Sequence, residues 1–186
     1  LPRIGDVFRL DWEHMLNMKP DLVIGWQDGT PVHVLERIEA LGMRLELVRA
    51  AKLDSIATQL RQLGELTGKS IEAERIATKF LQKLHSLKNK YSGRRAVSVF
   101  YEVDHAPLYT INGQQIISDA IRLCGGRNVF EELDVLAPQV SIESVIQRGP
   151  EVIFYAGSED QAEKVFKDWR RWPQMEAVRK NHLHIV

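Results

Sequence analysis

Apolar residues fall along this chain in two kinds of stretch, one with a three- to four-residue period and one in short unbroken runs, and the two kinds alternate. One pairing of them occurs twice. Trp12, Met15 and Leu16, at helical spacing, lead into Pro20-Asp21 and the run Leu22-Val23-Ile24; Ile142, Val145 and Ile146 lead into Pro150-Glu151 and the run Val152-Ile153-Phe154. A capping side chain, Asp11 or Ser141, stands two residues before a glutamate, Glu13 or Glu143, and each glutamate stands seven residues before its proline. Proline cannot continue a helix and biases its predecessor toward extended geometry, so the helices are expected to end at Lys19 and Gly149. The unbroken runs predict strands covered on both faces in a parallel sheet. Each copy is one αβ step, and the repetition predicts two similar α/β lobes.

The remaining pattern fills in the lobes. Asp28-Gly29 predicts a turn, and Thr30-Pro31 an N-cap with proline at the first helical position; Val34, Leu35, Ile38 and Leu41 carry that helix to Gly42. Met43 to Val48 alternates like a strand nearer an edge, and a helix from about Asp54 closes at Gly68. Ser70 is expected to cap a longer helix to Tyr91, with Ile71, Ala73, Ile76, Ala77 and Phe80 on its apolar positions. At ~1.5 Å per residue it would rise roughly 33 Å, enough to act as a stiff strut; packing within one continuous sheet is the other reading. Beyond it come the strand Ala96 to Tyr101, a loop at Asn112-Gly113, a helix from about Gln115 to Cys124 with a Gly125-Gly126 stop, and the Glu143 unit. A helix capped by Ser158, a short helix opened by Trp172-Pro173 and a last strand at Leu183 to Val186 complete the chain. The expected organisation is a first α/β lobe over residues 1–69, a connecting helix over 70–92 and a second α/β lobe over 93–186. A strand expected before the first lobe and a helix expected after the last strand are not in the sequence.

Composition narrows the function. Hydrophobic residues at 44% and charged residues at 27% are those of an ordinary globular domain. Twenty-five basic side chains balance 25 acidic ones with no basic run, which argues against nucleic acid as a partner. A single cysteine, Cys124, excludes an internal disulfide and a cysteine metal cluster. No apolar stretch approaches the length of about 20 residues that spans a bilayer. The chain starts without Met at Leu1-Pro2-Arg3, like a mature or trimmed fragment, and carries no signal peptide.

No nucleophile motif, phosphate loop or metal signature is present; Gly125-Gly126-Arg127-Asn128 lacks the spacing of a phosphate cradle and follows a helix. His182 and His184 are at strand spacing but have no third ligand nearby, so surface or core histidines are the better reading. The aromatics say more. Trp26 is expected just past the carboxyl end of a parallel strand, where open α/β sheets bind ligands. Tyr101 ends the corresponding strand of the second lobe, and Tyr109 follows after a short loop. Each is equally explained as a lid over the core; together they suggest an aromatic-lined cleft for a large, flat ligand. Glu13 and Glu143 are explained by the helix dipole alone, or as acidic knobs that dock on paired basic residues of a partner.

The phrase from Glu13 to Trp26, the segment Pro107-Leu108-Tyr109-Thr110, the run Cys124 to Phe130, the run Ala137 to Glu143 and Trp172-Pro173-Gln174-Met175 with the closing strand resemble the periplasmic solute-binding proteins of ABC importers for cobalamin and iron siderophores. The resemblance spans nearly the whole chain and is greatest to the cobalamin-binding members. It implies the class III arrangement of two doubly wound parallel-sheet lobes joined by a rigid helix. It implies a periplasmic, monomeric, non-enzymatic carrier that holds cobalamin (vitamin B12) between the lobes as transported ligand and delivers it to the permease subunits. It places Trp26 and Tyr109 at the ligand, where the strand-end argument adds Tyr101, and Glu13 and Glu143 at permease arginines. No protein ligand to cobalt is required, and a loop histidine such as His105 needs no such role. Leu136-Ala137 stand where a well-studied relative carries an aromatic. A ferric siderophore or haem is the alternative cargo, with Arg127 as a cleft-facing candidate. A small enzyme using His182 and His184, or a purely structural interaction module, are rivals from other classes.

Overall fold

A computed structural model describes residues 3–6 and 9–186. Leu1 and Pro2, on which the reading of the chain's start rests, lie outside the described residues. Contacts group the chain into Leu1–Ala50 and Ala51–Val186.

In the first unit, α1 (Trp12–Asn17) starts where the sequence indicates, because Asp11 Oδ1 accepts the His14 N–H at 2.9 Å and satisfies an otherwise free helix donor. It buries Met15. Lys19 follows at φ 45°, so the residue before Pro20 is left-handed and not extended as expected; the chain reverses there while the Lys19 N–H still reaches Leu16 O at 3.1 Å. β1 (Val23–Trp26) pairs in parallel with β2 (Leu45–Val48), from Val23 against Leu45 to Trp26 against Val48. Between them α2 (Val32–Ala40) lays Val34 and Ile38 over Val23, Met43 and Leu45, joined by Met15. An added methyl at buried Gly25 would come within 3.0 Å of Leu35 and Leu47 side-chain carbons, so the helix sits close on that face. Two expectations change. β1 is not covered on both faces: its two-residue period turns Ile24 and Trp26 away from α2, and both are exposed. Thr30 does not cap α2, whose N-cap is Pro31; its Oγ1 instead accepts the Trp26 N–H at 3.0 Å and closes the turn after β1.

The second unit begins with α3 (Ser55–Leu66) packed along α4 (Ser70–Tyr91). Small residues make this close crossing: Gly64, Ala73 and Ala77 are buried, and a methyl on Gly64 would overlap that of Ala73. The expected boundary at residue 69 falls between these two helices. Lys69, not Ser70, is the α4 N-cap, and Ile71, whose spacing puts it on the apolar stripe, is 91% exposed. The chain continues through β3 (Val97–Glu102), β4 (Asp104–His105), β5 (Leu108–Tyr109), α5 (Ile116–Leu123), β6 (Gly126–Asn128), α6 (Ile142–Arg148), β7 (Val152–Tyr155), α7 (Glu159–Trp169), α8 (Glu176–Arg179) and β8 (Leu183–Ile185). The main sheet is parallel in the order β6-β3-β7-β8, and β4 and β5 form a separate antiparallel hairpin. Gly125-Gly126 is more than a helix stop. Gly125, at φ 83°, does stop α5, but Gly126 then starts a strand against β3 because it lacks a Cβ, which would lie 2.6 Å from Ile121 Cγ2. The last short helix starts at Glu176, three residues beyond Pro173.

Phe100, Phe130, Val145, Ile153, Phe166 and Trp169 fill the core, with Phe100 edge-on to Phe130 at 5.7 Å and to Trp169 at 5.8 Å. In the second copy of the repeated phrase, Ser141 Oγ accepts the Ser144 N–H at 3.2 Å, and Gly149, at φ 56°, ends α6 before Pro150. The two copies therefore share cap, first-turn glutamate, left-handed stop, proline and parallel strand.

Candidate ligand site

Trp26 is the last residue of β1, not the first residue beyond it, and is 58% exposed. Its backbone is fixed by the turn, since Gly29 and Thr30 N–H groups donate to Trp26 O at 3.2 and 2.8 Å. In the second unit, Tyr101 is the penultimate residue of β3 and points to the face opposite buried Phe100 and Glu102. Burial pushes its phenol above the usual range, so it stays neutral. Tyr109 is partly exposed on β5, paired with Asp104 and bridged to Gln139. Thr110 ties the two tyrosine segments together, its Oγ1 donating to Tyr101 O at 2.7 Å. Both tyrosines thus lie at the carboxyl end of the sheet.

Glu13 and Glu143 are exposed in the first turns of α1 and α6. The Glu143 backbone N–H, and after it the Ser141 hydroxyl, hold the Glu143 carboxyl below the usual range. Among the described residues neither glutamate forms an ion pair within its own helix.

Three polar clusters escaped the sequence reading. Glu102, at the end of β3, is completely buried; its Oε2 accepts the Trp169 indole N–H at 2.6 Å and its Oε1 lies 2.6 Å from His105 Nδ1. Burial raises its pKa, opposed by those two contacts. His105 Nε2 in turn lies 3.2 Å from Asp168 Oδ2, so both ring nitrogens face carboxylates and neither is left for a metal. The second cluster is Asn112, Ser118 and Asn128, all buried. Asn128 Nδ2 donates to Ile111 O and Ser118 Oγ at 2.8 Å each, Ser118 Oγ donates to Asn112 O at 2.7 Å, and Asn112 Nδ2 donates to Leu133 O at 2.8 Å. Carboxamides here stand in for a missing ladder, satisfying irregular backbone that would otherwise be buried unpaired. The sequence signal for it was Asn and Ser placed among apolar residues, Ser118 within α5 and Asn112 and Asn128 on either side of it. The third is Glu151, which accepts a bidentate pair from Arg95 at 2.9 and 2.6 Å and the Ser98 N–H at 3.0 Å, and is held down to about 2.

The His182 and His184 rings stack 6.4 Å apart, His182 Nδ1 contacting Glu151 O and His184 lying against Phe154. Among the described residues no group of three or more His, Cys, Asp or Glu side chains is arranged to hold a metal. Arg127 is exposed and lies 3.9 Å from Glu131. Cys124 is free and exposed. An open groove of about 740 Å3 lies between α4 and α5, lined by Leu81, Leu84, His85, Lys88 and Tyr91 among others, and none of the three candidate aromatics touches it. Among the described residues no helix is long and apolar enough to cross a membrane.

Residues 1–185 match a family model described as periplasmic binding protein. The vitamin B12-binding protein of Vibrio campbellii is 32% identical over 183 residues, which are 98% of this chain and 66% of that protein. The chain thus spans just under two thirds of that relative's length. Among solved structures, the periplasmic vitamin B12 binding protein BtuF of Vibrio cholerae superposes with a TM-score of 0.87 at 28% identity, covering 100% of this chain and 72% of that one. The periplasmic haem binding protein HutB of Vibrio cholerae matches with a TM-score of 0.84 at 18% identity, covering 100% and 75%, a likeness of fold only.

Proposed function

Because the chain belongs to the periplasmic binding protein family, we propose that it is the solute-binding component of an ABC importer, working as a monomer in the periplasm with cobalamin as its cargo. It is a carrier and not an enzyme, and the corrinoid is transported without serving as a catalytic cofactor. The observation that carries this reading is an aromatic side chain at the carboxyl end of a parallel strand in each unit: Trp26 on β1 and Tyr101 on β3, with Tyr109 on the adjoining hairpin. Ligands of open α/β sheets gather beyond those ends, and flat rings suit the face of a macrocycle. The likeness to vitamin B12-binding proteins supports that choice of macrocycle. Cobalt needs no ligand from the protein, and His105 has no free nitrogen to offer.

Glu13 and Glu143 serve the second half of the task. Each is an exposed acid on a short capped helix, oriented by the same local design. Such a pair docks on basic residues of permease subunits by charge-assisted hydrogen bonds without involving the ligand.

Calorimetric titration with cyanocobalamin, haem and a ferric hydroxamate tests the proposal. One-to-one cyanocobalamin binding with no response to the other two is the expected result. Binding of haem or the hydroxamate in its place would replace the cargo and keep the carrier. Failure of all three would overturn both.

A further inference from the structure

The hairpin that carries Tyr109 is small. β4 and β5 have two residues each, paired as Asp104 with Tyr109 and His105 with Leu108, and their connection, Ala106-Pro107, is exposed. A hairpin of this size has little stability of its own. On its β5 side it is held by Val140 N–H to Leu108 O at 3.0 Å and Thr110 N–H to Pro138 O at 3.1 Å. On its β4 side the side-chain contacts that hold it run through His105. The imidazole bridges Glu102 at the end of β3 and Asp168 on α7, with its ring edge-on to Trp169 at 6.4 Å.

The Nδ1–Oε1 separation of 2.6 Å and the Nε2–Oδ2 separation of 3.2 Å are both hydrogen-bond distances, so the ring is held at two points. The other titratable groups around the bridge are Asp104, whose Oδ1 accepts the His105 backbone N–H at 2.7 Å, and Tyr155 on β7, whose phenol is pushed up by burial and by Glu102 and Asp104. Trp169 supplies a fixed N–H to the far oxygen of Glu102, so the carboxylate cannot rotate out of the bridge without stranding that donor in the core.

We propose that His105 is a positioning residue for ligand binding: by bridging Glu102 and Asp168 it clamps β4, and through the β4–β5 register it sets Tyr109. This deepens the reading of Tyr109 as a ligand contact and rests on it. The connection from clamp to contact is short, since the Val103 N–H donates to Tyr109 O at 2.8 Å and the next pair in the register is His105 with Leu108. Asp168 and Trp169 are adjacent on α7, so one helix end anchors both oxygens of Glu102, one directly and one through the imidazole.

The test is a double-mutant cycle read by cyanocobalamin calorimetry, with NMR of the Tyr109 amide and the His105 ring beside it. His105→Ala should weaken binding about tenfold and move the Tyr109 amide resonance, and His105→Ala in a Tyr109→Ala background should add almost nothing, since its effect runs through that side chain. Asp168→Asn keeps an acceptor for Nε2–H and should retain the wild-type Tyr109 resonance and affinity, whereas Asp168→Ala should lose both. Additive losses in the cycle, or wild-type affinity in His105→Ala, would overturn the proposal. If the wild-type protein binds no cyanocobalamin, the cargo reading fails on its own, and the clamp is decided by the NMR arm: an unmoved Tyr109 amide in His105→Ala overturns it.

Discussion

Replacing Trp26 with alanine tests the proposed ligand contact that is most exposed. A tryptophan has on the order of 250 Å2 to bury. With 58% of it exposed, roughly 145 Å2 is open to a ligand, worth about 3.6 kcal/mol at ~25 cal/mol/Å2. A flat macrocycle covers one face of the indole, so about half of that, ~2 kcal/mol, is at stake, or about a 30-fold rise in Kd. Trp26 lies outside the apolar cluster of its unit, so the thermal midpoint should stay within a few degrees of wild type. Trp26→Phe should recover most of the affinity. The assay is calorimetric titration with cyanocobalamin at fixed ionic strength, with thermal unfolding as the control. Wild-type affinity in Trp26→Ala would refute the assignment. So would an affinity loss matched by a large fall in thermal midpoint, because the effect would then run through the fold.

Other outcomes follow from the same geometry. Glu13→Ala with Glu143→Ala should leave cyanocobalamin affinity within about twofold and weaken binding to the permease in a pull-down or surface-based assay; equal loss of both would mark the pair as structural. Gly149→Ala places a methyl where nothing lies within 4 Å, so only its φ of 56° is penalised, and denaturant unfolding should show a loss of about 1 kcal/mol. Glu151 has a folded pKa of about 2 against an ordinary value of 4.5, so its contribution is present above about pH 4.5 and lost as pH falls toward 2. Glu151→Gln should flatten stability against pH in that window and cost about 1 kcal/mol at neutral pH, a modest figure because Arg95 is mostly exposed.

The sequence was most legible where local chemistry and pattern agree. Asp11 and Ser141 cap the helices they were expected to cap, Gly42 and Gly68 stand just past the helices they were expected to end, and the run Val152 to Tyr155 is the buried inner strand its composition suggests. It was least legible where a partner decides. Ile24 has the same apolar character as Ile153, yet one is 49% exposed and the other fully buried, because only the second lies between two strands and under helices. Gly126 reads as punctuation until Ile121 and Val99 are seen to need the space. For the candidate site, Trp26, Tyr101 and Tyr109 were singled out from their places relative to strand ends. Glu102 and Asp168 were not, since 66 positions separate them and their shared link to His105 appears only when β3, β4 and α7 come together.

The pair Asn112-Gly113 carries a consequence for the molecule's covalent lifetime. In a flexible chain this dipeptide deamidates readily, the glycine nitrogen attacking the asparagine carboxamide to close a succinimide ring and expel ammonia. Here that carboxamide is fully buried and its nitrogen is engaged by Leu133 O and Asp134 O, while its oxygen accepts the Gln114 N–H at 3.0 Å. The would-be nucleophile is occupied as well, donating its N–H to Glu131 O at 3.0 Å. Ring closure requires both sets of bonds to break first, so chemical ageing at this position is slaved to opening of the fold: molecules that stay folded keep their asparagine, and each excursion to an open state exposes it to irreversible loss.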